Sequence, residues 1–324
     1  MRVALIDVKG NDSRTIDKNS SMNIRNMVLL SKYLGADFFY NAHQLSTRNN
    51  DYDVLVFGFG GMSANIEQVR QFVNKEKNRR IFWFITEYDS PKNPSLYYVC
   101  KDLSLGYAAI QNMQTDAMKD KRCIKRYMLN LNLLIAREQN ALTEKRYDCV
   151  YYSRWRKDRK KYLKVYLQGD IYFSSDSKNF KKHKHIGCKP KYIKKLSWEQ
   201  GKETLNNFRY SLYIEDEYTH NVFNNLANRW YEAGFCNNVM FFDVNCWNTI
   251  RKSEIAQYEN QIKDYIVSTH KELLDKIEYC NKDFMYHLNI QKSWRKDELR
   301  LREKMLQELK DIVYQKLTPQ VFKY

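Results

Sequence analysis

Arg229 and Glu232 are oppositely charged residues three positions apart, in a stretch whose apolar residues repeat at helical spacing. On a helix this separation puts both side chains on one face. An arginine offers a planar fork of donors to phosphate oxygens, and a glutamate can accept from two vicinal sugar hydroxyls. The pair could therefore hold a diphosphate and a ribose. An ordinary ion pair on a solvated helix has the same spacing and is the alternative.

A cationic segment separates the apolar run Cys149–Tyr152 from the start of a predicted helix. Its residues include Ser153, Arg154, Arg156 and Arg159. The free N–H groups at a helix N-terminus attract anions, and arginine adds bidentate contacts to phosphate. Cations in a first helical turn oppose the helix dipole, so stability alone does not favour them. The segment therefore predicts a phosphate site, with a solvated basic face as the alternative.

Two acids, Glu87 and Asp89, follow the apolar run Ile81–Ile85. A carboxylate at the carboxyl end of a strand can act as a general base toward an acceptor hydroxyl. The alternative is that these acids cap the turn predicted over Ser90–Pro94.

Strand and helix patterns alternate along both halves of the chain, which predicts the α/β class with doubly wound parallel sheets. Strands are predicted over residues 3–8, 37–40, 52–59, 81–85, 149–152, 171–173, 211–214 and 239–242. Helices are predicted over 22–34, 198–208, 222–230, 255–266 and 292–317, with Gly234 as the C-cap of the third. In such sheets ligands bind beyond the carboxyl ends of strands. The absence of GxxxxGKS and GxGxxG argues against a P-loop and the usual dinucleotide site.

The net charge of +17 predicts a polyanionic partner, most often nucleic acid. A genome rich in lysine codons would raise the charge as well. The excess is concentrated in clusters, which are Arg79–Arg80, Lys119–Arg126, Arg154–Lys164, Lys178–Lys195 and Lys292–Lys304. His183 and His185 lie among lysines, so this cluster is a poor cation site and favours a phosphate or nucleic-acid surface.

The 324 residues allow two domains. We expect an N-terminal domain over residues 1–146, completed by a C-terminal helix at about 300–324, and a second domain over 147–299. The seven cysteines include no CxxC pair, so neither a zinc site nor a disulfide framework is indicated. With no signal peptide and no apolar run of about 18 residues, we expect a soluble intracellular protein.

The order of these features resembles that of the GT-B glycosyltransferases, and within them the bacteriophage DNA glucosyltransferases of the T-even β-glucosyltransferase type. Thr86–Glu87 matches a Thr-Asp pair that carries the family's catalytic carboxylate. Ser153–Arg156 with Arg159 is similar to a Ser-Phe-Arg segment and a second arginine, at a spacing of three residues instead of four. Arg229–Glu232 followed by Val239–Asp243 matches an Arg-x-x-Glu helix and an apolar strand ending in aspartate. The similarity is collinear over most of the chain.

The resemblance implies a GT-B fold, with two Rossmann-like domains facing across a cleft and the C-terminal helix crossing back to the first domain. The first domain would bind DNA and the second the nucleotide sugar. Glu87, with Asp89 beside it, would deprotonate the acceptor hydroxyl, and direct displacement would invert the anomeric centre. The donor would be held by Ser153, Arg154, Arg156, Arg159, Tyr218, Arg229 and Glu232. Among them Arg156, Arg159 and Arg229 would neutralise the UDP diphosphate, with Tyr218 near it, and Glu232 would bind the ribose.

The implied donor is a UDP-sugar such as UDP-glucose or UDP-arabinose. The family's glutamate near the sugar falls here on Met22 or Asn23, so the sugar stays open among glucose, another hexose and a pentose. The implied acceptor is double-stranded DNA with a hydroxymethylated cytosine or another hydroxylated pyrimidine, flipped into the cleft. The resemblance further implies a monomer in the cytoplasm of an infected bacterial host. A divalent metal stays open, with no ligand residue assigned. Two other functions also stay open, a GT-B enzyme acting on a glycan or protein and a non-catalytic nucleic-acid-binding protein.

Overall fold

The computed structural model describes residues 1–6, 22–39, 52–57, 81–86, 107–109, 144–153, 155–196, 205–217, 220 and 226–314. The chain divides into two compact units, residues 1–134 with 301–324 and residues 135–300. Each unit contains a sheet whose described strands are all parallel. The predicted α/β class with parallel sheets is therefore confirmed.

The sheet of the first unit has the described strand order β2-β1-β3-β4-β5. The strands are β1 (Val3–Ile6), β2 (Asp37–Phe39), β3 (Val54–Phe57), β4 (Ile81–Thr86) and β5 (Tyr107–Ala109), and helix α1 (Met22–Leu34) joins β1 to β2. All four side chains of β1 are buried, as expected for a parallel strand covered on both faces. After α1 the chain turns at Gly35, whose φ of +63° favours glycine. In the same unit the Tyr314 hydroxyl donates a 2.6 Å hydrogen bond to the Leu34 carbonyl oxygen.

The sheet of the second unit has the order β11-β10-β9-β6-β7-β8. Numbered from β6, this is the 3-2-1-4-5-6 order of doubly wound nucleotide-binding sheets. The strands are β6 (Tyr147–Tyr152), β7 (Tyr172–Ser174), β8 (Lys191–Ile193), β9 (Phe208–Tyr213), β10 (Val239–Asp243) and β11 (Ile266–Val267). The direction of strand order reverses between β6 and β9, and ligands bind at the carboxyl ends beside such a switch point.

The helices of the second unit are α2 (Lys160–Tyr166), α3 (Ser177–His185), α4 (Asn228–Phe235), α5 (Trp247–Ile250), α6 (Glu259–Ile262), α7 (His270–Asn281), α8 (Phe284–Trp294) and α9 (Lys296–Val313), the last extending into the range of the first unit. Helix α2 buries Tyr162, Leu163 and Tyr166. The Tyr166 hydroxyl lies 2.6 Å from the Asp243 carboxylate, which fixes α2 against the end of β10.

Helix α4 begins later than the apolar pattern predicts. Ala227 is extended, with φ −73° and ψ 166°, and its N–H donates to the Tyr213 hydroxyl at 2.8 Å. The predicted start at residue 222 lies outside the described residues, but Leu226 and Ala227 precede the helix. A tertiary hydrogen bond that Tyr213 of β9 accepts therefore sets the first turn.

The predicted role of Gly234 as a helix C-cap is wrong. Gly234 lies inside α4, the C-cap is Cys236, and the left-handed residue beyond it is Asn237, with φ 54°. A Cβ atom at Gly234 would clash with the Arg295 guanidinium group, which would have to move to make room for it.

Three predicted helices are interrupted. Residues 205–207 form one 3₁₀ turn and Phe208 already belongs to β9, so the helix predicted over 198–208 does not reach its predicted end. The helix predicted over 255–266 is a series of short turns around α6. The long C-terminal helix is divided at Arg295, whose guanidinium carbon lies 3.4 Å from the Trp230 ring centroid. This cation–π contact holds the residue between α8 and α9.

Candidate functional site

The carboxyl ends of β6 and β9 lie side by side at the switch point of the second sheet, paired in parallel through Val150 and Ser211. The chain leaves β6 into the cationic segment and leaves β9 into the acids Glu215 and Asp216. Helix α2 begins after the first of these loops, and α4 carries Arg229 and Glu232. The topology thus gathers cationic and acidic side chains at one end of the sheet.

Arg159, the residue before α2, is a buried cation with two carboxylate partners. Its Nη2 donates to Glu215 and, at 2.9 Å, to Asp216. Only 5% of its surface is exposed. Burial by itself would lower the pKa of Arg159, but the charge of Glu215, followed by Tyr151 and Asp216, raises it above the ordinary range. Arg159 therefore stays charged inside the protein, as an ion-paired residue instead of a solvated one.

Arg229 approaches the same carboxylate from α4. Its Nε donates to the Tyr152 carbonyl oxygen at 3.1 Å, and its Nη1 donates to the Ile214 carbonyl oxygen at 3.1 Å and to Glu215. The guanidinium carbon lies 5.3 Å from the ring centroid of Tyr151. Its side chain is 11% exposed. One carboxylate, that of Glu215, therefore joins two guanidinium groups that come from different helices.

Glu232 lies almost one helical turn beyond Arg229 and is also buried. Its Oε2 accepts a 2.6 Å hydrogen bond from the Tyr152 hydroxyl. Burial raises the pKa of Glu232, while that hydrogen bond and the charge of Arg229 act in the opposite direction. The alternative of a solvated surface ion pair is therefore wrong, because both side chains turn inward and bind the ends of β6 and β9.

The other predicted donor residues differ in position. Ser153 directly follows β6; its carbonyl oxygen accepts from the Ser175 hydroxyl at 2.7 Å, and its own buried Oγ has no hydrogen-bond partner within the described ranges. Arg156 is exposed to solvent. Arg154 and Tyr218 lie outside the described residues, as do the predicted catalytic acids Glu87 and Asp89. Of the predicted side chains, the structure therefore brings together Arg159, Arg229 and Glu232.

Four further residues of this site were not assigned from the sequence: Tyr151, Tyr152, Glu215 and Asp216. A signal for the acids was present, since they follow an apolar strand directly at the edge where ligands bind. Their pairing with arginines 56 and 14 residues away was not visible in any local pattern.

The cluster over residues 177–196 folds as α3 and β8 and presents eight exposed lysines without an acid. We call this surface the lysine face; its lysines are Lys178, Lys181, Lys182, Lys184, Lys189, Lys191, Lys194 and Lys195. Lys182 lies 5.9 Å from the ring centroid of Trp155 and Lys184 lies 5.2 Å from that of Tyr192. Lys191 pairs with Asp170 at 2.6 Å. Edge strands often carry lysines that block aggregation, but most of these lysines lie outside β8.

His183 belongs to α3 but is not part of this exposed surface. It is fully buried and its Nδ1 lies 2.7 Å from the Asn179 carbonyl oxygen. Across the part of the chain that the structure describes, no group of three or more potential metal ligands occurs. Among the same residues, no helix is long and apolar enough to cross a membrane.

No family model matches the chain, and no curated protein sequence matches it. A solved structure does match. It is the crystal structure of the DNA modifying enzyme β-glucosyltransferase, in the presence and absence of the substrate uridine diphosphoglucose. The TM-score is 0.62 and the sequence identity 15%, and the match covers 97% of this chain and 99% of that chain. The two proteins therefore share a fold with parallel sheets, and at this identity the likeness is one of fold.

Proposed function

We propose that the chain is a DNA glycosyltransferase of the GT-B class that moves a sugar from a UDP-sugar to a hydroxymethylated pyrimidine, with cytosine as the favoured base. The observation that carries the proposal is the pair of buried guanidinium groups, Arg159 and Arg229, joined at the switch point of a 3-2-1-4-5-6 sheet. This is the position at which nucleotides bind in such sheets. The likeness in fold to an enzyme crystallised with uridine diphosphoglucose supports the same class of donor.

The chemistry of the side chains fits a nucleoside diphosphate. Two neighbouring guanidinium groups can neutralise the charge that develops on a departing diphosphate, which is the main electrostatic demand of this reaction. Glu232, on the same helix as Arg229, offers a carboxylate to the two ribose hydroxyls. Exposed Arg156, together with Ser153, Arg154 and Tyr218, would complete the donor site.

The acceptor is proposed from charge. A net charge of +17 and the lysine face fit a long polyanion, because each phosphate contact releases counterions and adds affinity independent of sequence. The solved protein of the same fold is described as DNA modifying, which supports DNA over other polyanions. A base inside a duplex must be flipped out before its hydroxymethyl group can react.

The proposed step is a single displacement. Glu87, with Asp89 nearby, takes the proton from the acceptor hydroxyl, whose oxygen forms a bond to the anomeric carbon as the bond to UDP breaks. Configuration at that carbon is inverted and UDP leaves as the diphosphate anion held by the arginines. We further propose that the protein has domains over residues 1–146 and 147–299, and that a C-terminal helix at about 300–324 completes the first domain. It would act as a monomer in the cytoplasm of an infected bacterium. A divalent metal would assist the departure of UDP if one binds.

The test is a mass measurement on DNA. The purified protein is incubated with hydroxymethylcytosine duplex and, in separate reactions, UDP-glucose and UDP-arabinose, and nucleosides are analysed by mass spectrometry. We expect a sugar-sized mass gain on the modified base with one donor. Glu87→Gln should lower kcat by about 10²–10⁴-fold, as for loss of a general base, while the Kd for UDP stays unchanged.

Two results would contradict the proposal. Transfer to a glycan or protein with none to DNA would identify an enzyme of another acceptor class. Salt-sensitive DNA binding without transfer of any sugar, unaffected by Glu87→Gln, would identify a non-catalytic nucleic-acid-binding protein.

A further inference from the structure

The arginine pair at the proposed donor site is already neutralised by the protein. Arg159 and Arg229 contribute two positive charges, and Glu215 and Asp216 contribute two negative ones. Glu215 is 2% exposed and Asp216 4% exposed, so water screens these pairs little. A diphosphate arriving at this cluster would meet no net positive charge.

The Glu215 carboxylate contacts the arginines as a phosphate group would. Its Oε2 accepts from Arg159 and its Oε1 accepts from Arg229, one oxygen for each guanidinium. Carboxylate and phosphate oxygens match the same planar donor fork. The Nε of Arg159 is buried and has no hydrogen-bond partner among the described residues, so this guanidinium has donor capacity that the carboxylates leave unused.

We infer that Glu215 is an internal substitute for the donor's diphosphate, and that the donor binds by displacing its carboxylate from Arg159 and Arg229. This inference rests on the proposed function and adds the mechanism by which the site selects its ligand. A diphosphate supplies enough charge and oxygens to satisfy both arginines after Glu215 leaves. A monophosphate replaces the Glu215 carboxylate with a single other anionic group, so it gains less binding free energy. The exchange therefore favours nucleoside diphosphates over monophosphates.

A permanent positioning role for Glu215 makes the opposite prediction. If the carboxylate only holds the two arginines in place, its removal disorders them and weakens anion binding. If it competes with the ligand, its removal strengthens anion binding, because the cluster gains one net positive charge. The sign of the change in affinity therefore decides between the two roles.

The experiment is isothermal titration calorimetry of wild type and Glu215→Gln with UDP, with UMP and with inorganic pyrophosphate. For the variant we expect Kd values lower by about tenfold for UDP and pyrophosphate, since a unit charge is removed next to the anion. The ratio of UMP to UDP affinities should also move toward one. The matched control is Glu254→Gln, which removes a carboxylate bound to the Tyr231 hydroxyl elsewhere in the same unit and should leave both Kd values unchanged.

Unchanged or weaker binding of pyrophosphate by a folded Glu215→Gln protein overturns the inference. Should that variant fail to fold, Glu215→Asp is the second variant. It retains the charge but shortens the side chain, so that one carboxylate no longer reaches both arginines. Tighter binding of pyrophosphate is again expected, and weaker binding again overturns the exchange. The proposed function fails separately. If pyrophosphate binds but UDP binds no more tightly than pyrophosphate, the nucleoside adds no affinity and the donor assignment is wrong. The pyrophosphate titrations of wild type and variant still decide the role of Glu215.

Discussion

The Tyr152 hydroxyl donates a 2.6 Å hydrogen bond to the Glu232 carboxylate, joining residues 80 positions apart in the chain. The bond links the end of β6 to α4 and fixes the orientation of the carboxylate. Burial raises the pKa of both groups, and the Glu232 charge raises that of Tyr152 further. Tyr152 therefore remains a neutral donor to the Glu232 carboxylate.

Glu232→Gln should weaken UDP binding selectively. The amide oxygen can still accept from Tyr152, so the fold is retained, but the charged acceptor for ribose hydroxyls is lost. Hydrogen bonds to charged groups contribute about 1.5–3 kcal/mol, which predicts a rise in the UDP Kd of roughly 10- to 100-fold. Calorimetry should show no matching change for pyrophosphate, and an equal loss for both ligands would refute a ribose contact. Glu254→Gln serves as the control for removal of a carboxylate.

Substitution of Arg159 should lower the stability of the protein, whereas substitution of Arg156 should lower its affinity for UDP. Arg159→Lys cannot reproduce the contacts to Glu215 and Asp216, and breaking a buried pair costs about 3 kcal/mol of unfolding free energy. Arg156→Ala changes an exposed residue, so its unfolding free energy should stay within about 0.5 kcal/mol of wild type while UDP affinity falls. Urea denaturation measures the first quantity and calorimetry the second. A large stability loss in Arg156→Ala would contradict the exposed position.

The lysine face should contribute to DNA affinity through phosphate contacts. The double variant Lys181→Gln, Lys184→Gln should make the negative slope of log K for DNA binding against log salt concentration shallower by about 1.8. Each duplex phosphate contact contributes about 0.9 to its magnitude. Fluorescence anisotropy with unmodified duplex DNA measures the slope without requiring catalysis. The control is Lys252→Gln, Lys282→Gln, which removes the same charge from exposed positions outside this face. Equal slopes for the two variants would show that only net charge matters.

Glu298 should make the stability of the second unit depend on pH. Burial raises its pKa from 4.5 to about 7, and the charge of Glu254 adds to the rise, while Arg295 and the hydrogen bond from Trp230 oppose it. Because the folded state binds this proton more tightly, the contribution of Glu298 is fully present below pH 4.5 and is lost as pH rises through 7. At about 1.4 kcal/mol per pKa unit, the loss is roughly 3 kcal/mol.

Urea denaturation of wild type and Glu298→Gln from pH 4 to pH 8.5 tests this expectation. The glutamine keeps an acceptor for the Trp230 indole N–H but has no proton to lose. The difference in unfolding free energy should therefore shift in favour of the variant as pH rises. A difference independent of pH would show that folding does not raise the pKa of Glu298.

Much of the fold could be predicted because parallel strands buried on both faces appear as continuous apolar runs. Val3–Ile6, Ile81–Thr86 and Val239–Asp243 all form strands where the sequence predicts them. Helix ends were predicted less well. The start of α4 depends on the hydrogen bond that the Ala227 N–H donates to Tyr213, and the division at Arg295 depends on its contact with Trp230; neither contact leaves a local pattern.

At the site, the sequence by itself determined which charged residue types follow the strand ends, because strand and loop composition can be read directly. Arg159 was predicted from the cationic segment after β6, and Arg229 and Glu232 from their three-residue spacing on a helix. Only the tertiary structure decided that these side chains are buried and that Glu215 joins the two arginines, since parallel pairing of β6 and β9 brings Arg159 to Glu215, 56 positions away. Charge in a sequence gives the number of ions, whereas the fold decides which of them are neutralised inside the protein.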